Sequence, residues 1–146
     1  MSDNGIRSFT FTPADGVPPA VAPFAHATAA GPTLYVTGQM PTDVTGAVVG
    51  DYVAIPTDQV LRNLLRVTEL CGGGLADVVS VRGYLLDWND YGAFNGLRGL
   101  VFRPAAVAHV CRGHGTRGGG AGRDRLGVLA KRRLEDHNRI MRPARP

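Results

Sequence analysis

Lysine is almost missing from this 146-residue chain: Lys131 is the single one. Cysteine occurs twice, at Cys71 and Cys111, which excludes a disulfide framework and leaves free thiols as the reading. Tryptophan occurs once, at Trp88, and no Phe, Tyr or Trp follows Phe102, so the basic stretch beyond it lacks the aromatic interleaving on which nucleobases stack. No run comes near the roughly 18 to 20 apolar residues of a membrane span. The N-terminus lacks a basic stretch followed by an apolar core, so no secretion signal is expected and the predicted location is cytoplasmic.

Charge is present but divided. Up to Asn95 four arginines face nine acidic residues, a formal charge of −5; from Gly96 eleven arginines and Lys131 face three acids, a charge of +9. The pI near 9.6 therefore describes neither part. Such asymmetry ordinarily marks a nucleic-acid-binding or membrane-binding tail. The hydrophobic fraction of 44% is enough for the core of one ordinary domain. Its Val, Ile, Leu and Phe crowd residues 33–36, 60–70 and 78–86 and thin out after Val101.

Loose alternation over residues 6–12 predicts a short strand, and the four prolines and one glycine of residues 13–23 an extended loop. Residues 26–30 form a second strand ending at the turn signal Gly31-Pro32, and residues 33–37 a third, stopped by Gly38. Residues 41–50 read as loop or hairpin. The strongest helical pattern spans residues 55–71, with Val60, Leu61, Leu64, Leu65, Val67 and Leu70 at helical spacing. Pro56 near its start and Gly72-Gly-Gly at its end fit helix termini; the glycines serve as a stop, since neither a preceding strand nor a following Lys-Ser makes them a phosphate loop. Residues 79–86 form a strand, residues 87–90 a polar turn, and residues 91–95 start a second helix. Glycine dominates residues 114–123, so strand, strand, strand, helix, strand, helix is predicted to stop unfinished. His26 is read as satisfying a hydrogen bond within a strand, and Cys71 as a core thiol. His109, Cys111 and His114 lie too close together in a glycine-rich run to suit a metal, so no metal site is expected.

Certain stretches, in unbroken order over residues 19–95, resemble one family: Pro23-Phe-Ala-His-Ala, Gly31-Pro-Thr-Leu-Tyr-Val-Thr-Gly-Gln-Met-Pro, the helix of residues 59–70, Gly73-Gly-Leu-Ala-Asp-Val-Val-Ser-Val-Arg-Gly-Tyr-Leu-Leu-Asp, and Phe94-Asn95. The family is RidA (YjgF), also called endoribonuclease L-PSP. The resemblance implies an α+β, chorismate-mutase-like fold, a mixed sheet on two helices, assembled as a homotrimer with clefts between subunits. It implies hydrolysis of reactive 2-imino acids or enamines to 2-keto acids and ammonia, without metal or organic cofactor. The family's proline-tyrosine-serine element falls on Pro23, Phe24 and Ala25, which lack both hydroxyls. Its serine-glycine-glutamine element falls on Thr37, Gly38 and Gln39, and a cleft asparagine on Asn95. The expected substrate-binding residues are thus Phe24, Thr37, Gly38, Gln39 and Asn95.

Two further family anchors, an arginine followed by threonine or serine and a glutamate in a valine-glutamate-isoleucine strand, have no match after Asn95. A one-base slip near Asn95 or Gly96 is the expected cause. Codons for Val107-Ala-His-Val-Cys, read one base later, can spell Ser-Arg-Thr-Cys, and the shifted frame through Leu126 permits a strand, a turn and a glutamate-bearing strand. GC-rich codons read out of phase also favour arginine and glycine. The expected organisation is therefore a partial RidA-like domain over residues 6–95 and an aberrant, poorly ordered basic tail over residues 96–146. Catalysis is expected to be impaired. The alternatives are a non-catalytic trimeric small-molecule-binding module, or an RNA-binding or endoribonuclease-like protein acting through the tail, with nucleic acid disfavoured by the missing aromatics.

Overall fold

The computed structural model describes residues 5–50, 52, 54–102, 107–112 and 129–133. Three short strands open the chain: β1 (Ile6–Phe9), β2 (Ala27–Ala30) and β3 (Thr33–Val36), paired antiparallel, with Ala30 opposite Thr33 across the two-residue Gly31-Pro32 turn. The expected strand of residues 6–12 ends earlier. Pro13–Asp15 instead makes a 3-10 turn whose Asp15 carboxylate accepts from the Thr12 backbone N–H at 2.8 Å and hydroxyl at 2.9 Å.

Helix α1 (Ala54–Leu70) follows the apolar spacing closely, burying Val60, Leu61, Leu64 and Val67. It ends in a Schellman arrangement: Gly73 N–H reaches the Thr68 carbonyl at 2.9 Å and Gly72 N–H the Glu69 carbonyl at 2.8 Å. Gly72 sits at φ 79°, a conformation that costs a residue with a Cβ more. Strand β4 (Val78–Leu85) carries a bulge, because Val78 and Ser80 pair with the consecutive residues Arg132 and Lys131 of β6 (Leu129–Arg133). The extra residue, Val79, resets the alternation, so Val78 and Val81 are both buried although they are three apart.

Helix α2 (Tyr91–Val101) starts where expected and continues six residues past Asn95. Its Phe94 is fully buried against β4. The approach depends on Gly83: a Cβ there would lie 2.6 Å from the Phe94 ring.

The chain beyond Asn95 differs most from its expected form. Strand β5 (Val107–Arg112) pairs parallel with β4, and β6 pairs antiparallel with both β3 and β4, giving the sheet order β1-β2-β3-β6-β4-β5. The sequence leaves this sheet unfinished; the structure fills it. Composition misleads here because a ladder bonds backbone to backbone: two strands that would otherwise present unpaired N–H and C=O groups accept a segment of modest strand propensity. The glycine-rich residues 114–123 lie outside the described residues.

The result is an α+β domain with a mixed sheet and two helices. The core lies between sheet and helices, where Ala27, Ala29, Leu34, Val36, Val81 and Leu85 meet the buried faces of α1 and α2. The opposite alternation exposes Ile6, Tyr35, Arg82 and Tyr84.

Candidate functional site

Past β3 the chain leaves the sheet through Thr37, Gly38 and Gln39, and hydrogen bonds tie this exit to the segment before β2. Thr37 N–H donates to the His26 carbonyl at 3.0 Å, and the Thr37 hydroxyl to the Ala25 carbonyl at 2.6 Å. The family position occupied by Thr37 thus keeps a hydroxyl, and here it fastens backbone. Gln39 is buried and donates from Nε2 to the Thr37 carbonyl at 2.8 Å.

His26 is buried at the junction of three segments. Its Nδ1 accepts from Phe11 N–H at 3.1 Å, and its Nε2 lies 3.1 Å from the Pro18 carbonyl. A carbonyl only accepts and a backbone N–H only donates, so the proton sits on Nε2 and Nδ1 carries the lone pair. Both nitrogens are thereby committed, and the ring holds loops together rather than serving as a base. The Phe24 ring stands edge-on to it, centroids 6.3 Å apart at 72°.

Phe24, Gly38 and Gln39 line one cleft of about 370 Å³. Pro18 and Pro19 form its near wall, and the hairpin closed by the Thr42–Val48 bridge its far wall. Asp43 shapes that hairpin: its Oδ1 accepts from Thr45 N–H at 2.8 Å, the Thr45 hydroxyl at 2.6 Å and Ala47 N–H at 3.2 Å. These bonds, led by the Thr45 hydroxyl, hold its carboxyl below the usual aspartate range. Gly46, at φ 86°, comes so close to Pro19 that a Cβ would meet its Cγ at 3.3 Å, joining the two walls.

Helix α1 holds this assembly through a polar residue that the apolar spacing alone does not single out. Asn63 is buried and donates from Nδ2 to the Met40 carbonyl at 3.1 Å and the Thr42 carbonyl at 2.8 Å, while its Oδ1 accepts from Gln59 Nε2 at 2.9 Å. An amide at a buried position of an amphipathic helix was the available signal.

The structure brings Phe24, Gly38 and Gln39 together, with Thr37 directly behind them. Asn95 is not among the residues lining this cleft: it lies half-buried on α2, its Oδ1 accepting from Arg98 Nη2 at 2.7 Å and Nε at 3.2 Å. Among the described residues no group of three His, Cys, Asp or Glu side chains could hold a metal ion, and no helix is long and apolar enough to cross a membrane.

This mixed sheet on two helices shares its fold with solved RidA-family structures. The RidA structure from an Antarctic Psychrobacter superposes with a TM-score of 0.75 at 24% identity, covering 88% of this chain and all of that one. The Escherichia coli YjgF structure gives 0.73 at 20% identity, covering 87% and 98%. In sequence, residues 16–112 match the model of the endoribonuclease L-PSP family, and the chain belongs to that family. A RutC family protein of Pyrococcus horikoshii is 36% identical over 107 residues, 70% of this chain and 83% of that protein. A protein of Acinetobacter baylyi named 3-aminoacrylate deaminase RutC is 36% identical over 99 residues, 66% and 78% of the two chains.

Proposed function

We propose that this chain is an enamine and imine deaminase-like protein: water adds to the C=N carbon of a 2-imino acid, the C–N bond breaks, and a 2-keto acid and ammonia leave. The observation that carries the reading is the meeting of Phe24 with Gly38 and Gln39 in one cleft, at the positions matching the family's motifs. The 36% identity to a protein named for deamination of 3-aminoacrylate supports it. A homotrimer belongs to the same reading, supported by the exposed Tyr35 and Tyr84 on the sheet face away from the helices.

Turnover in this reading is much reduced. Phe24 and Ala25 carry no hydroxyl, His26 has no lone pair to spare, and among the described residues the lining contains none that is formally charged. A missing arginine that would grip the carboxylate costs several kcal/mol of transition-state stabilisation. Keto-acid release from a dehydratase-generated imine tests this, with a family member carrying both motifs as the control. Rates equal to that control would contradict the impairment; release above the no-protein rate, yet at least about a hundredfold slower than the control, is expected.

We read residues 96–146 as translated one base out of register, with the gene sequence across Asn95 and Gly96 as the test. Codons that exclude Ser-Arg-Thr-Cys and a glutamate strand in the shifted frame end that reading. The lost hydroxyls also favour a second function, a small-molecule-binding module without chemistry, which would show saturable ligand binding and no ammonia release.

A further inference from the structure

The cleft has a chemical bias that the family's motifs do not specify. Three large apolar residues surround its opening and remain open to solvent: Phe24 at 38%, Val48 at 62% and Val21 at 80% exposure. With Met40, Pro18 and Pro19 they line a space of about 370 Å³, within the range of small-molecule pockets and far larger than a methyl group needs. Among the described residues the lining is largely apolar and none is formally charged, which suits the apolar part of a ligand. One buried polar group breaks the pattern. Gln39 is 6% exposed, its Nε2 gives one of its two N–H donors to Thr37, and its Oε1 has no hydrogen-bond partner among the described residues. A buried acceptor in that state marks where a ligand brings an N–H.

We propose that this cleft is a side-chain subsite for branched-aliphatic or aromatic 2-imino acids, with Gln39 Oε1 as its polar anchor. The imino-acid part of the ligand rests on the reading above; the apolar preference stands on the cleft itself. Phe24 is the size- and polarity-setting residue. Its ring is braced edge-on by a histidine fixed at both nitrogens, so it presents a rigid apolar wall.

Stable analogues make the test independent of turnover. Phenylpyruvate, 4-methyl-2-oxopentanoate and pyruvate are titrated into the full chain by calorimetry. The two large acids are expected to bind about ten- to a hundredfold more tightly than pyruvate, the range set by burying one such side chain. Val48→Asp and Phe24→Ser, both at exposed positions, remove most of that preference while the far-ultraviolet spectrum stays unchanged. L-Phenylalanine, which carries N–H on the same carbon, loses about tenfold in Gln39→Met while phenylpyruvate is unaffected. Pyruvate binding as tightly as phenylpyruvate, a preference untouched by Val48→Asp, or no binding of any of the three acids overturns the proposal. Keto-acid release from imines made by an L-amino-acid oxidase is read separately: no release with the preference intact sinks the deaminase reading and leaves the subsite standing.

Discussion

Gly83 shows how one missing Cβ determines the meeting of a helix and a strand. Phe94 seats on β4 because nothing projects from Gly83, and a methyl there would lie 2.6 Å from the ring. Gly83→Ala is expected to destabilise the fold by about 1–3 kcal/mol through overpacking, read by urea unfolding. Gly83→Ala combined with Phe94→Leu should recover part of the loss. Additive losses would mean that the contact is not the cause. His26 makes a different argument at this scale. That its side chain satisfies a hydrogen bond was legible from the sequence, although it lies one residue before β2 and not in a strand as expected; its tautomer was not legible, since that depends on which groups from residues 11 and 18 arrive at the two nitrogens.

The element that matters most for the cleft is α1, and its influence passes through one amide. Asn63→Leu keeps the volume and leaves the Met40 and Thr42 carbonyls without their donor; a loss of about 1–3 kcal/mol is expected by chemical denaturation. Binding of phenylpyruvate should weaken in the same variant, because the far wall of the cleft begins at Thr42. The hairpin itself responds to acid. Asp43 has its carboxyl lowered by the bonds from Thr45 and Ala47, so its stabilising contribution is present above the unfolded-state value and is lost as pH falls through the folded one. Amide signals of Thr45 and Ala47 should therefore shift together below about pH 4. A transition centred above that value would contradict the sign. Asp15, lowered chiefly by the Thr12 backbone and hydroxyl, should titrate in the same window in the turn of Pro13–Asp15.

At the scale of the molecule, the sheet has two helices on one face and Tyr35, Arg82 and Tyr84 on the other. If the chain is trimeric as proposed, light scattering should give three times the 15.4 kDa chain mass, and Tyr84→Lys should shift the species toward monomer with the helical signal retained. A monomer from the unaltered chain would remove that part of the functional reading. The net charge of +4 conceals a basic end. An RNA-binding role through residues 96–146 would require affinity that falls steeply with salt and disappears on their deletion.

The sequence by itself determined the helix of residues 55–71 to within a residue at either end and the existence of the three opening strands, the first of which stops at Phe9. These are local properties, carried by apolar spacing and turn residues. It also determined the charge division at Asn95. Only the tertiary structure decided that β6 lies between β3 and β4, that a bulge at Val79 resets the alternation, that Asn63 holds the cleft wall, and that Asn95 turns to Arg98 instead. The first three share a physical reason: each depends on which backbone or side-chain groups a distant segment brings within reach, and no local pattern encodes that meeting. The Asn95–Arg98 pair is a local contact, three residues apart on α2.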